Sequence, residues 1–308
     1  MLRSFKALYS TSSLGKFLLT IPKWIYDLYR YKIQSDTDFL KSKFKLTFGR
    51  DLDLKNPQTF NEKIQWLKLY DRRPLYTTCA DKFAVREYIK ENIGEEYLIP
   101  LVLVTDKVED ITPSKLPDFP FIIKPTHASG QYIIVNDKNQ INWKSVKKTI
   151  AKWLNVNYYY RLREWQYKDI PPAIIVEKLL IDERGIIPRD VKIHCFNGKI
   201  EFIEVHEDRL TNHTKTHYDE NWKVLNFKSY FTEGKLSKPP VTFEKMKTIS
   251  RILSKDFHYV RVDLYELNGK IYFGELTFHP GSGFKAYEPE EQDLILGQKL
   301  ILPGVKNP

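Results

Sequence analysis

Residues 260–283, VRVDLYELNGKIYFGELTFHPGSG, constrain the fold more than any other stretch of this chain. Val260, Val262 and Leu264 alternate with Arg261, Asp263 and Tyr265, the period of a half-buried strand. Asn268-Gly269 marks a hairpin turn, and a second alternating run follows with Glu275 and Thr277. Pairing register decides what this hairpin can do. A strict two-residue turn pairs Asp263 with Gly274 and puts Asp263 and Glu275 on opposite faces. A three-residue loop, Asn268 to Lys270, pairs Asp263 with Glu275 directly. Only that register gathers two carboxylates beside Arg261, an arrangement suited to a hard cation that bridges phosphates. The sequence reading therefore requires the longer loop. The plainer alternative is a surface hairpin with solvated acids.

Composition narrows the partners. The chain has 308 residues, room for one large domain or two to three small ones with a real core. Its net charge of +10 favours nucleotide, anionic lipid, acidic polysaccharide or nucleic acid. It has no C2H2 finger, RNP-like aromatic motif or basic zipper, so nucleic acid is the class least supported. Two cysteines, Cys79 and Cys195, are too few for a disulfide framework and point to a reducing, cytoplasmic compartment. No run reaches the roughly 18 apolar residues that span a bilayer. The N-terminus mixes Arg3, Lys6, Lys16, Lys23, Arg30 and Lys32 with Phe, Leu, Trp and Tyr. Its apolar run Phe17–Ile21 stops at Pro22 without a convincing cleavage site, which argues against a signal peptide. Residues 1–32 either lie on an anionic membrane surface or pack as a helix on the protein body.

Along the chain, residues 1–60 read as helical and irregular, ending at Asn56-Pro57. Thr59-Phe60-Asn61-Glu62 opens a helix through Tyr70, and Asp71-Arg72-Arg73-Pro74 breaks it. Asp81 to Glu91 reads as one helix. Strands are expected at Tyr97–Val104, Phe121–Ile123, Gln131–Val135, Ala173–Val176, Val191–Phe196 and Lys199–Val205, the last two joined at Asn197-Gly198. Helices are expected at Trp143–Leu154, Val241–Lys255 and from Pro289 to about Gly297. This order predicts an α+β fold with a site between two lobes.

Four segments could carry chemistry. Lys82, at the start of its helix, either reaches a phosphate or sits in water. Phe121-Ile-Ile-Lys124 delivers a lysine at a strand end, and the small residues through Ser129-Gly130 can offer backbone N–H groups to phosphate oxygens. This is not a Walker A loop, because the G-x-x-x-x-G-K-[ST] spacing is missing. Ile174-Ile-Val-Glu177-Lys178-Leu179 is a buried strand that turns polar abruptly, either a hinge for an adenine edge or a charged turn. In Arg189–Phe196, Val191, Ile193 and Cys195 face one way and Lys192 and His194 the other, so these two either floor a polar cleft or, for His194, bond between strands. His206, Arg209, His213 and His217 cluster loosely without metal spacing.

Taken in order, Asp81-Lys82, the strand ending at Lys124, Glu177-Lys178-Leu179, Arg261-Val-Asp263 and Glu275-x-Thr277 resemble the ATP-grasp superfamily. The blocks PQTFNEKIQWLKLYDRRPLY, ADKFAVREYI, YLIPLV, FIIKPTHASG and GELTFHPGSG look like the TupA-like (teichuronopeptide-synthesis-type) family found in polysaccharide gene clusters, over about residues 50–298. The resemblance implies an ATP-grasp fold of two α/β lobes with the nucleotide between them, after a helical N-terminal region. The division it suggests is 1–60, 61–120, 121–180 with a phosphate loop, and 181–308 with the metal hairpin. Nucleotide binding would fall to Lys82, Lys124, Ser129, Gly130, Glu177, Lys178, Leu179 and Lys192, magnesium to Asp263, Glu275 and Thr277, and catalysis to Arg261, Lys192 and Arg209. Many ATP-grasp enzymes carry Glu-x-Asn at the second metal position; Glu275-x-Thr277 departs from that and leaves the number of metals open. The implied reaction is ATP-dependent amide formation through an acyl phosphate, on a uronic acid of a capsule or cell-wall glycan with an amino acid or amine.

Two other classes remain. A glycosyltransferase is formally matched by Asp36-Thr-Asp38 and Asp51-Leu-Asp53, tripeptides that are frequent by chance. A non-catalytic membrane-associated module is favoured only by the N-terminus.

Overall fold

The computed structural model describes residues 25, 28–207, 213–229, 232–234 and 236–304. The chain divides into two compact units, Met1–Leu52 and Asp53–Pro308. In the first, α1 (Asp36–Phe48) starts where Ser35 accepts the Asp38 N–H at 3.1 Å and stops at Gly49, whose φ of 72° only a residue without Cβ adopts freely. Most of residues 1–32, the candidate membrane segment, lies outside the described residues.

The second unit opens with α2 (Phe60–Tyr70). Its start is a capping box in which the Glu62 carboxylate accepts the Thr59 N–H at 3.0 Å while the Thr59 hydroxyl accepts the Glu62 N–H. Two short helices follow, α3 (Pro74–Ala80) and α4 (Val85–Asn92). The single helix expected over 81–91 is thus wrong at its start. Pro74 begins a helix, as proline does well at a first helical position, and Asp81 ends it. The Asp81 carboxylate then accepts the N–H groups of Phe83 and Ala84, so Lys82 sits in the turn between the two helices.

A four-stranded antiparallel sheet comprises β1 (Leu101–Thr105), β2 (Phe121–Pro125), β3 (Ile133–Val135) and β4 (Ile174–Lys178) in the order β1-β4-β2-β3. Helix α5 (Trp143–Leu154) lays Val146, Ile150 and Trp153 against Phe121, Ile123, Ile174 and Val176.

The larger sheet has β5 (Asp190–Phe196), β6 (Lys199–Glu207), β7 (Thr214–Tyr218), β8 (Thr232–Glu233), β9 (Tyr259–Leu267) and β10 (Lys270–Thr277), ordered β10-β9-β5-β6-β7-β8. One face is apolar over its centre. Val191, Ile193, Ile203, Val205, Val260, Val262, Leu264, Ile271 and Phe273 pack with Met246, Ile249 and Leu253 of α6 (Phe243–Ser254). Each such side chain is worth about 1.5–3 kcal/mol buried rather than exposed, so a one-residue slip of any strand is prohibitive. The other face is polar. One end of it is covered by α2 and α7 (Glu291–Lys299) through Phe60, Ile64, Phe202, Tyr259 and Leu296, and the other end is open.

The hairpin β9–β10 reaches its register by an unexpected route. Its turn is the two-residue Asn268-Gly269, both at positive φ, with Lys270 opposite Leu267. The expected three-residue loop is absent. A bulge at Gly274 instead adds the extra residue, so that Phe273 faces Leu264 and Glu275 faces Asp263. A Cβ at Gly274 would lie 2.8 Å from Tyr265 Cε2 and 3.0 Å from the Asp263 carbonyl oxygen, a space that admits only glycine. Pairing then runs straight across the polar face: Glu275, Asp263, Lys192, Glu204 and His217 stand opposite one another on five adjacent strands.

Candidate active site

The open end of this polar face forms one wall of a cavity of about 1560 Å³. Lys124 of β2, the tip Ser129-Gly130, and Lys178 and Leu179 at the end of β4 form the facing wall, with Lys82 beside them. The structure brings Lys82, Lys124, Asp263 and Glu275 to this one hollow.

On the hairpin side, Arg261 ties the acids together. Its Nε donates to Asp263 Oδ1 at 2.6 Å, and its Nη2 donates to Asp263 Oδ2 at 2.7 Å, Glu275 Oε1 at 3.0 Å and the Thr277 hydroxyl at 2.9 Å. Thr277 in turn donates to Glu275 Oε1 at 2.8 Å and does not line the cavity, so its hydroxyl orients Glu275. Lys192 donates to Asp263 and lies 3.5 Å from Asp190. The two acids respond differently to this setting. Burial raises Glu275, but Arg261, Lys192 and Lys82 outweigh it and hold the carboxyl at about 2. Asp263 is almost fully enclosed, and burial, assisted by the Glu275 charge, pushes it up despite Arg261 and Lys192.

Across the cavity, Lys124 donates to Glu177 Oε2 at 3.0 Å, and Arg86 donates to Oε1 at 2.9 Å and to the Ile99 carbonyl at 3.0 Å. Glu177 itself is buried and lines a small side pocket with Lys82, Lys124 and Glu275 rather than the main cavity. Lys82 donates to the Ala128 carbonyl, and burial lowers its pKa. The small-residue loop is anchored at its base, where Thr126, His127 and Ala128 are buried and His127 Nε2 meets the Trp153 carbonyl at 3.0 Å. Only its tip, Ser129 to Tyr132, reaches the cavity. The Lys178 and Leu179 N–H groups donate to the Pro100 and Pro120 carbonyls, each at 3.0 Å, so those two donors are already committed.

A second charged centre shares the cavity. Glu204, 1% exposed, accepts from Lys285 at 2.6 Å, His206 at 2.5 Å and His217 at 3.2 Å, with Lys215 at 3.3 Å. Burial works against its charge, yet Lys285, both histidines and Lys215 hold its carboxyl well below the usual range. Burial lowers His206 to about 3 and Lys215 to about 8.

A family model described as TupA-like ATPgrasp matches residues 62–301. The chain belongs to this family. No curated protein matches it. Among solved structures it is similar to D-alanine–D-alanine ligase from Bacillus anthracis, at 20% identity over 65% of this chain and 57% of that one, with a TM-score of 0.42. It is also similar to L-amino acid ligase from Bacillus licheniformis, at 12% identity over 89% and 61%, with a TM-score of 0.44. A third, phosphoribosylglycinamide synthetase from Anaerococcus prevotii, is 13% identical over 71% and 48%, with a TM-score of 0.34. The chain thus spans 57% of the first of these proteins.

Within this TupA-like ATP-grasp chain, the residues singled out from sequence fall into three groups. Lys82, Lys124, Ser129, Gly130, Lys178, Leu179, Lys192, Arg261, Asp263 and Glu275 line the cavity. Glu177 and Thr277 stand behind it and hold cavity residues in place. Arg209 lies outside the described residues. His194 is not on the cleft floor: it stacks on Phe202 at 3.9 Å, meets Tyr259 Oη at 2.9 Å and is 1% exposed. Of the loose histidine cluster, His206 and His217 meet Glu204, and His213 meets His206 at 2.9 Å. Glu204 was not singled out from sequence; its spacing from His206 on one face of β6 is the signal that could have found it, whereas Lys215, Lys285 and Arg86 carry no local signal. The Asp-x-Asp tripeptides serve structure. Asp36 and Asp38 occupy the first turn of α1, Asp51 pairs with Lys45 at 3.0 Å, and Asp53 accepts the N–H groups of Lys55 and Asn56.

Proposed function

We propose that this protein is an ATP-dependent carboxylate–amine ligase that works through an acyl phosphate. The observation that carries this reading is the single cavity in which Lys82 and Lys124 face the opposed pair Asp263 and Glu275. In the reaction, a carboxylate oxygen bonds to the terminal phosphorus of ATP and the bond to the bridging oxygen breaks, releasing ADP. The amine nitrogen then bonds to the acyl carbon, the carbon–oxygen bond to phosphate breaks, and the nitrogen sheds a proton to water. No enzyme nucleophile takes part, so positioning and charge neutralisation do the work.

Placement around the cavity supports the following roles. Lys82 and Lys124 hold phosphates, with the Ser129-Gly130 tip closing over them. Arg261 and Lys192 neutralise charge at the transferred phosphoryl group. Asp263 and Glu275 offer oxygen donors only, and no group of three or more His, Cys, Asp or Glu among the described residues forms a metal cage. That donor set fits Mg²⁺, which takes one or two carboxylates and completes its shell with nucleotide phosphates. Bound there, it would neutralise phosphate charge and orient the nucleotide. Thr277 then acts by orienting Glu275. With the N–H groups of Lys178 and Leu179 committed, an adenine edge at the β4 end meets acceptors and side chains there. In this reading the nucleotide lies between residues 121–180 and 181–308, with 61–120 supplying Lys82. The substrate is a uronic acid carboxylate of a capsule or cell-wall glycan, joined to an amino acid or amine, which suits a chain of net charge +10.

The test is ADP and phosphate release from ATP and Mg²⁺ in the presence of uronic acids and amines, with mass-spectrometric detection of the amide. Asp263→Asn, Glu275→Gln and Lys124→Ala each abolish release while the far-ultraviolet CD spectrum is kept. Wild-type rates in all three remove the proposed site. Stabilisation by a UDP-sugar but not by Mg²⁺-ATP favours glycosyl transfer instead. No helix among the described residues is long and apolar enough to cross a membrane. The basic, aromatic residues 1–32 hold the protein at an anionic inner-membrane surface, so it pellets with anionic liposomes at low salt and less at high salt. Equal pelleting of a chain lacking those residues rejects that role.

A further inference from the structure

The centre around Glu204 has no part in the scheme above, yet it is built into the same cavity. Glu204, Lys215, His206 and Lys285 all line it. Glu204 carries one negative charge and receives two ammonium groups, Lys285 at 2.6 Å and Lys215 at 3.3 Å. Its histidine partners add no charge, because burial lowers both His206 and His217. Glu204, Lys215 and Lys285 together therefore sum to one positive charge. A burden of that kind suits a monoanion better than a phosphate dianion, and an ammonium group with three N–H donors can serve Glu204 and a ligand at once.

Lys285 is also held firmly. Asn61 Nδ2 donates to the Lys285 carbonyl at 2.8 Å, the Lys285 N–H donates to Asn61 Oδ1 at 3.3 Å, and Asn61 Nδ2 donates to Asp293 at 2.9 Å. The ammonium group is thus presented from a fixed backbone, with little entropy left to lose on binding. Its location is informative. Glu204 stands opposite Lys192, and Lys192 stands opposite Asp263 and donates to it. Adjacent strands lie about 5 Å apart. An anion on Lys285 is therefore a neighbour of the phosphoryl group that the hairpin acids and Lys192 would hold.

We propose that Lys285, with Lys215 beside it on Glu204, binds the carboxylate that is to be phosphorylated. This rests on the ligase reading for what happens next, but not for the binding itself. The shared chemistry is a carboxylate monoanion, whether it comes from a sugar uronate or from an amino acid. Its oxygen would attack the terminal phosphorus from the Lys285 side of Lys192.

The experiment is isothermal titration of the full chain with glucuronate, galacturonate and L-glutamate, with and without a nonhydrolysable ATP analogue and Mg²⁺. Glucuronate methyl ester serves as the uncharged control. At least one acid binds and the ester does not, and the acid that binds separates the glycan source from the amino-acid source. Lys285→Gln weakens that binding by about 10- to 100-fold, the worth of one charge-assisted hydrogen bond, while binding of the ATP analogue is unchanged. Lys285→Arg keeps most of the affinity, and carries the test with the ester if Lys285→Gln does not fold. No binding by any acid, equal binding of the ester, or wild-type affinity in Lys285→Gln overturns the subsite. If the acid binds through Lys285 but no ADP ever forms from ATP, the subsite stands and the ligase reading falls.

Discussion

Replacing Gly274 with alanine tests whether the bulge sets the acid pair. The new methyl carbon would meet Tyr265 Cε2 at 2.8 Å and the Asp263 carbonyl oxygen at 3.0 Å. The first contact is soft, because Tyr265 is only partly buried and its ring can move aside. The second is hard, because that oxygen belongs to the backbone of the strand that carries Asp263. Overpacking of this kind costs about 1–3 kcal/mol. For a unit of this size each kcal/mol lowers Tm by about 2–4 °C, so the melting temperature should fall by about 2–12 °C. The site should suffer more than the fold. Moving the Asp263 backbone shifts its carboxylate against Glu275, and the stabilisation that saturating Mg²⁺-ATP confers on the wild type should be largely lost. Paired differential scanning calorimetry of wild type and Gly274→Ala, with and without Mg²⁺-ATP, reads both effects. An unchanged Tm together with full nucleotide stabilisation refutes the reasoning, for it means that the strand absorbs a side chain at the bulge without disturbing the acids.

Two further outcomes follow from the electrostatics. Glu275 titrates at about 2 when folded against 4.5 for the free side chain, so its contribution is complete above pH 4.5 and is lost as pH falls toward 2. Glu275→Gln should therefore show a shallower loss of stability than wild type between pH 4.5 and about 2, read from urea midpoints, and parallel curves would contradict the assignment. Cys79 and Cys195 are buried, and burial pushes each thiol up to about 12. Neither should react with Ellman's reagent at pH 8 until denaturant is added, and prompt labelling of the native protein would show that one is open to solvent.

Much of the frame could be read from the chain because it rests on local rules. The alternation in 190–196 and 259–267 sorts side chains to two faces, and the observed apolar layer is that sorting. Thr59 and Glu62 mark the start of α2 within three residues of each other. Asn197-Gly198 and Asn268-Gly269 both mark the hairpin turns, although at Asn268 the turn has two residues rather than the expected three. The departure at residues 81–91 is also local in kind: Pro74 starts a helix that Asp81 ends, and the Asp81 carboxylate holds a turn before the next helix begins at Val85.

By itself, then, the sequence determined most of the strands and helices (though not α3, β7 or β8), which of their faces seek burial, and that Asp263 and Glu275 travel on one hairpin. Only the tertiary structure decided that the two acids meet. That meeting depends on a glycine-sized gap between Tyr265 and the Asp263 backbone, and a gap exists only once both strands are in place. The same holds for the partners of the buried acids. Arg86 reaches Glu177 across 91 residues and Lys285 reaches Glu204 across 81, and no periodicity reports such a pair. Burying a carboxylate demands a countercharge, and the fold alone selects which distant cation answers.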